Sequence, residues 1–306
     1  MRILAIALLA LGSLAAAAPN IDKAKLAAYV RYAEAFTPAV HITVDNPVPS
    51  AYPGYYRVLV HMTLGKQKLD RTYYTQDGQH FLNGDIWDLD ENPFLDTLER
   101  LPKNGPSFGP SDAKVTIVVF SDLECPFCRA LAETIRKNVP KYYPNDVRVI
   151  FENFPLAKHP WAHTAAEAGY CLSEQKPAAF WAYHDWIFAH QQEVTAASPP
   201  KRLIRSQAEA IGKQQGADPA KVQQCIETDA AAAGVEEEVR LGRQLGIAQT
   251  PTFFLDGRMV AGSVDWATLN TLIKMELNRP VEIPGPTAKK MGKKCCEVTI
   301  PRVVPK

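Results

Sequence analysis

Residues 118–130 read VVFSDLECPFCRA. An apolar run, Val115 to Phe120, leads into Cys125-Pro126-Phe127-Cys128, and a helix is expected from Arg129 to Lys137. A continuous apolar run of this kind reads as a strand buried on both faces. The cysteines then sit at a strand's carboxyl end, where open α/β sheets commonly bind ligands. A helix N-terminus carries partial positive charge and free N–H groups. It favours a thiolate at Cys125, the reactive form of cysteine. Two intervening residues let Cys128 reach Cys125, so the spacing reads as a dithiol/disulfide exchange centre. A zinc half-site would need two more ligands, and there is no second C-x-x-C pair. A purely structural disulfide is the other bland alternative.

The chain has 306 residues, 46% of them hydrophobic, and a net charge of +1. That length suits two domains, and that charge argues against nucleic acid as partner. There is no phosphate-loop pattern, no H-E-x-x-H and no repeat at a solenoid period. Residues 1–18 read as a signal peptide: Arg2, an apolar stretch from Ile3 to Leu11, and small residues Ala15 to Ala18. Cleavage after Ala17 fits. The stretch is short for a membrane span, and no later one is longer. The expectation is a periplasmic or secreted protein in an oxidising compartment, where six cysteines make sense.

Residues 20–100 read as a small α+β domain. A helix is expected over Ile21 to Phe36, and strands over Tyr55 to Met62, Leu69 to Tyr74 and Gln79 to Leu89. Asp77-Gly78 supplies a hairpin turn. Residues 101–112, rich in proline and glycine, read as a linker. Residues 113–280 alternate strand and helix: Val115 to Phe120, the Cys125 helix, and Val147 to Phe154. A helical stretch follows over about 157–245, then Thr252 to Leu255 and Arg258 to Gly262. A closing helix runs from Asp265 to Asn278 with Ser263 as cap. Residues 281–306 form a Pro/Lys-rich tail with Cys295 and Cys296, whose role stays open.

Thr250-Pro251 stands directly before the strand at Thr252. A cis bond there would turn the chain sharply and free the Thr250 backbone for an extended substrate. An ordinary trans proline is the default from residues alone. Cys171 and Cys225 each lie on an apolar helical stripe, which favours a bridge between them over two buried free thiols. His159 and His163 are four apart but lack further ligands, so no metal is expected. His184 and the tryptophans at 161, 181 and 186 read as packing.

VVFSDLECPFCRA, with QTPTFFLD at 249–256, resembles the thioredoxin superfamily, and its DsbA-like branch most. NFPLAKHPWAHTAAEAGYCL at 153–172 is similar to that branch's helical insertion. The resemblance implies an α/β, thioredoxin-like fold with a helical insertion, preceded by the small α+β domain. It implies a nucleophile at Cys125, a resolving cysteine at Cys128 and a cis Pro251. Thr250, Pro251 and Phe127 are then the substrate-binding residues, and no cofactor is needed. One position departs. Thioredoxins carry a buried acid six residues before the first cysteine, and here that residue is Val119; Asp122 and Glu124 are nearer in sequence and are either proton relays or plain surface acids, the surface reading being favoured. LDRTYYTQDGQHFLNGDIWDL at 69–89 resembles the end of the dimerisation domain of DsbC/DsbG-type isomerases, which implies a homodimer. The expected function is thiol:disulfide interchange on unfolded or misfolded exported proteins, with an unidentified redox partner recycling the pair. A redox-linked chaperone and a client-specific reductase are the alternatives.

Overall fold

A computed structural model describes residues 18–84, 92–228 and 230–279. The leader, the residues from 85 to 91 and the tail with Cys295 and Cys296 lie outside the described residues. The chain divides into two compact units, with the boundary near residue 87.

In the first unit, α1 (Lys23–Ala33) starts where the Asp22 carboxylate accepts the Lys25 N–H. This is ordinary N-capping. The strands β1 (His41–Val44), β2 (Val48–Pro49), β3 (Tyr56–Leu64) and β4 (Gln67–Thr75) form one antiparallel sheet. β3 is central: β1 and β2 pair along one edge, β4 along the other. Alternation puts Val58, Val60 and Met62 on one face, where they pack with Leu26 and Val30 of α1. No strand was expected over the residues that form β1 and β2. The β3–β4 hairpin turns at Gly65, with φ +59°, and the chain reverses again at Asp77-Gly78, after β4, as expected. There the Asp77 carboxylate collects the N–H groups of Gln79 and His80. Gly78 has φ +75°, and a Cβ there would lie 2.3 Å from the Asn20 carbonyl oxygen. The strand expected from Gln79 appears as a single bridge, Tyr74 to Leu82, and its residues after 84 are outside the described ones.

The second unit begins with α2 (Leu95–Arg100) and β5 (Ser107–Phe108). It continues with β6 (Val115–Ser121), α3 (Pro126–Tyr142) and β7 (Val147–Asn153). Helices α4 (Ala162–Ser173), α5 (Pro177–Ala189), α6 (Gln191–Ala196), α7 (Pro200–Gln214), α8 (Pro219–Glu227) and α9 (Ala230–Gln244) follow. The chain then returns through β8 (Thr252–Leu255), β9 (Arg258–Ala261) and α10 (Trp266–Leu277). The sheet order is β5-β7-β6-β8-β9, with β6 and β7 parallel and the other pairs antiparallel.

Residues 101–112, read from composition as linker, thus hold the edge strand of this sheet. Their glycines serve close packing: at Gly109, φ +85°, a Cβ would meet the Val147 carbonyl at 2.2 Å. β6 is buried on both faces. Ile117 and Val119 pack on Leu131 and Ile135 of α3 and Leu269 and Ile273 of α10. Val118 and Phe120 pack on Val235 and Val239 of α9. α3 is longer than its expected Arg129–Lys137 span and runs through Pro140. The cap of α10 is Asp265, not Ser263. Cys171 and Cys225 are joined by a disulfide with Cα atoms 5.7 Å apart.

Candidate active site

Cys125 is the N-cap of α3, and Pro126 occupies the first helical position. Proline fits there because its missing N–H has no helical partner to lose. Cys128 lies one turn in, with its side chain against the sheet. Cys125 is 4% exposed and Cys128 1%. Both thiols are therefore buried, Cys125 as well as Cys128. The cover over Cys125 includes the Thr250 carbonyl, which accepts from the Cys125 thiol at 3.7 Å. The Thr250–Pro251 bond is cis. The carbonyl expected to stand free for substrate is engaged by the thiol. Phe127, between the cysteines, is 67% exposed and is the apolar surface at the site.

The two thiols are driven apart in acidity. Hydrogen bonding from Cys128 lowers Cys125 to about 6, against the opposing effect of burial, and the Cys128 and Phe127 N–H groups add to it. Burial pushes Cys128 well up, and a thiolate at Cys125 pushes it further. One thiol is ionised near neutral pH and the other holds its proton.

Asp122 frames the pair and corrects the surface reading of the acids. It is buried, 1% exposed. Its carboxylate accepts from the Glu124 N–H at 2.8 Å, the Leu156 N–H at 2.8 Å and His159 Nδ1 at 2.7 Å. Its backbone N–H donates to Cys128 Sγ at 3.3 Å, and its carbonyl accepts the Cys125 N–H at 3.1 Å. Glu124 is partly buried too. Its carboxylate accepts the Trp161 N–H at 2.7 Å, and burial raises its pKa. His159, weighed as half of a metal pair without an acidic neighbour, has one in Asp122. Among the described residues no group of three or more His, Cys, Asp or Glu side chains is placed to hold a metal.

Gln191, at the start of α6, was missed by sequence reading. Its amide donates to the carbonyls of Leu123 at 2.9 Å and Cys125 at 3.2 Å, pinning the turn before α3. A buried glutamine 66 positions away leaves no local signal. His184 lies in the core as expected, 3% exposed.

Comparison with known proteins agrees with this architecture. Residues 102–275, more than half of the chain, match the family described as Thioredoxin. Residues 15–96 match the disulfide bond isomerase protein N-terminal domain. Disulfide bond formation protein D of Bacillus subtilis is 25% identical over 176 residues, 57% of this chain and 78% of that protein. The Na(+)/H(+) antiporter NhaA 3 of Salinispora tropica is 30% identical over 166 residues, 54% of this chain. This chain spans only 24% of that antiporter's length. No helix among the described residues is long and apolar enough to cross a membrane. The crystal structure of oxidised BdbD from Bacillus subtilis superposes with a TM-score of 0.50 at 22% identity, covering 61% of this chain and 97% of that one. The chain belongs to the thioredoxin family, as a DsbA-like domain carried behind a unit similar to the N-terminal domain of disulfide isomerases.

Proposed function

We propose that this protein is an exported thiol:disulfide interchange protein, an oxidase and isomerase for disulfides of secreted proteins. The observation that carries this reading is the asymmetry of the pair: Cys125 lowered to about 6 at the helix start, Cys128 raised by burial beneath it. A thiolate at Cys125 attacks one sulfur of a substrate disulfide and forms a mixed disulfide. Cys128 then attacks Cys125 and releases the substrate, and the reverse sequence oxidises a substrate dithiol. Thr250, Pro251 and Phe127 hold the extended substrate beside the pair. The chemistry needs only sulfur and protons, and a redox partner resets the pair.

Export rests on the signal pattern in residues 1–18, and the site of action is the periplasm or outside the cell. The match to the isomerase N-terminal domain supports isomerisation over oxidation alone, and with it a homodimer formed through residues 20–100. A two-fold interface is the commonest way for a small unit to gain buried area.

Turnover of a scrambled disulfide-bonded substrate by the mature chain tests the function. Cys125→Ser is expected to abolish it, and Cys128→Ser to accumulate mixed disulfides. Undiminished turnover by Cys125→Ser would refute the reading. Light scattering with and without residues 20–100 tests the dimer. A monomeric mass for the mature chain at micromolar concentration refutes it and moves the function toward oxidase or reductase.

A further inference from the structure

Behind Cys128 lies a small chamber of about 20 Å³, bounded by Ser121, Cys128, Trp181 and His184 and by apolar side chains including Val119 and Phe151. That is room for one water, which also needs two to four polar partners. The chamber offers them. Trp181 is 8% exposed, and its indole N–H has no hydrogen-bond partner. The Ser121 hydroxyl hydrogen-bonds Cys128 in the sense that favours its thiolate. The His184 ring lines the same space, and its Nδ1 donates to Asp185 Oδ1 at 2.9 Å. Because a carboxylate only accepts, Nδ1 carries the proton, and Nε2 is left with a free lone pair. Asp185 is half-exposed on its side-chain atoms, 47%. A path therefore runs from the buried thiol to solvent: Cys128, Ser121 with one water, His184, Asp185.

We propose that His184 is the proton acceptor for Cys128, reached through Ser121 and a water held by Trp181. The inference rests on the exchange function proposed above. Cys128 is buried and must lose a proton each time it resolves a mixed disulfide. The strand residue that lines the chamber with Cys128, Val119, is apolar and can take no proton. The Cys128 S–H gives its proton through the water to Nε2. The Cys128 sulfur then bonds to Cys125 Sγ, and the bond from Cys125 to the substrate sulfur breaks. The substrate sulfur leaves with the electron pair as a thiolate and takes a proton from solvent. The imidazolium returns its proton to solvent by way of Asp185. In the oxidising direction the same path delivers a proton to Cys128 as it leaves.

The charged groups around His184 fit an acceptor. Burial keeps the ring neutral, with its pKa below the ordinary value, and Asp185 on α5 partly opposes that. Arg136 on α3 lines the chamber with its guanidinium 4.8 Å from the Trp181 ring, and it forms a two-point ion pair with Asp185. Its charge disfavours imidazolium. The strand side contributes Val119, Ser121, Val149 and Phe151, none of them titratable.

The test is single-turnover reaction of the reduced mature chain with 5,5′-dithiobis(2-nitrobenzoate). The first thionitrobenzoate released reports attack by Cys125, and the second reports resolution by Cys128. Absence of the first phase in the wild type would sink the exchange function itself. In His184→Gln the first phase is expected to stay within about twofold. The second should slow about tenfold or more, approaching the range general bases supply, and should rise with hydroxide across neutral pH. Adding Val119→Asp, which places a carboxylate in the same chamber, should restore the second phase. An unchanged second phase in His184→Gln overturns the proposal. So does a slowed phase with the wild-type pH profile that Val119→Asp leaves slow. If His184→Gln also loses the first phase, Ser121→Ala decides: a slowed second phase supports the relay, an unchanged one refutes it.

Discussion

Replacing Cys128 by alanine should make Cys125 a weaker acid. The Cys128 hydrogen bond is the largest influence holding Cys125 near 6, ahead of the helix N–H groups and the Thr250 contact. An ordinary cysteine titrates near 8.5, so the whole depression is about 2.5 units, each worth about 1.4 kcal/mol. If the Cys128 bond supplies only about one unit, the Cys125 pKa moves to about 7. At pH 6 the thiolate fraction then falls from about a half to about a tenth, and alkylation slows about fivefold. Cys128→Ser keeps an O–H donor, so its effect should be smaller. The assay is the pH dependence of iodoacetamide alkylation, with peptide mapping to assign the label. A Cys125 midpoint that stays put or falls in Cys128→Ala would refute the reasoning and make the helix terminus the controlling influence.

The sign of the coupling to stability follows. The folded Cys125 pKa is depressed, so the stability this group gives the reduced protein is complete above its unfolded value and is lost as pH falls through about 6. At pH 7 the reduced form gains about tenfold over a pair with ordinary acidity, which makes the couple about 30 mV more oxidising. Phe127→His should push it further, since an imidazole brings positive charge to the thiolate where phenylalanine brings none; redox titration against glutathione showing the opposite shift would refute this. Cys225→Ser should cost about 4 kcal/mol in chemical denaturation, the loop-closure value for a separation of 54 residues. A loss under about 1 kcal/mol would assign the bridge no stabilising role. Glu152 concerns the opposite sheet face: burial pushes its carboxyl up to about 9, with Glu238 adding to the shift. A raised carboxyl pKa means stability is greatest below the unfolded value near 4.3 and declines as pH rises toward about 9. Glu152→Gln should therefore raise the melting temperature at pH 8 and leave it nearly unchanged at pH 4, a difference on the order of 1–3 kcal/mol.

What was legible in the sequence was what the local pattern controls. A doubly buried strand needs a continuous apolar run, so β6 could be read directly, and the helix after it follows from Pro126 at its first position. The helical stripes through Cys171 and Cys225 pointed to a bridge because cysteines on two buried faces can meet. Local pattern failed at short, exposed strands. β1 and β2 are four and two residues long; β1 turns Ile42 and Val44 toward the core, but two alternating positions are too few to read as a strand. β5 hides in a Gly/Pro stretch because its glycines answer to the backbone of β7, not to a turn. The turn at Asp77-Gly78 was legible because the Asp77 carboxylate binds the N–H groups of Gln79 and His80, but the strand after it shrinks to the Tyr74–Leu82 bridge.

The site shows the same division, and Asp122 shows why. An acid two positions after a strand's apolar run reads as surface, since carboxylates are rarely buried unpaired. Burial here is possible because three donors converge on it, and two of those come from residues 156 and 159, more than thirty positions downstream. Those donors also limit what Asp122 can do. Both carboxylate oxygens are held by donors on the chain before α3 and on the segment after β7, and only the backbone N–H reaches Cys128. A proton carrier for the resolving thiol needs a titrating atom that faces it and a way out to water. Asp122 provides neither, so it is a post that fixes the distance between the end of β6 and the cysteine turn. The acid missing at Val119 has therefore not moved to its nearest sequence neighbour. The group able to accept a proton that shares a chamber with Cys128 is His184, since Arg136 there stays charged; it lies 56 residues beyond Cys128, brought there by the packing of α5 against the sheet.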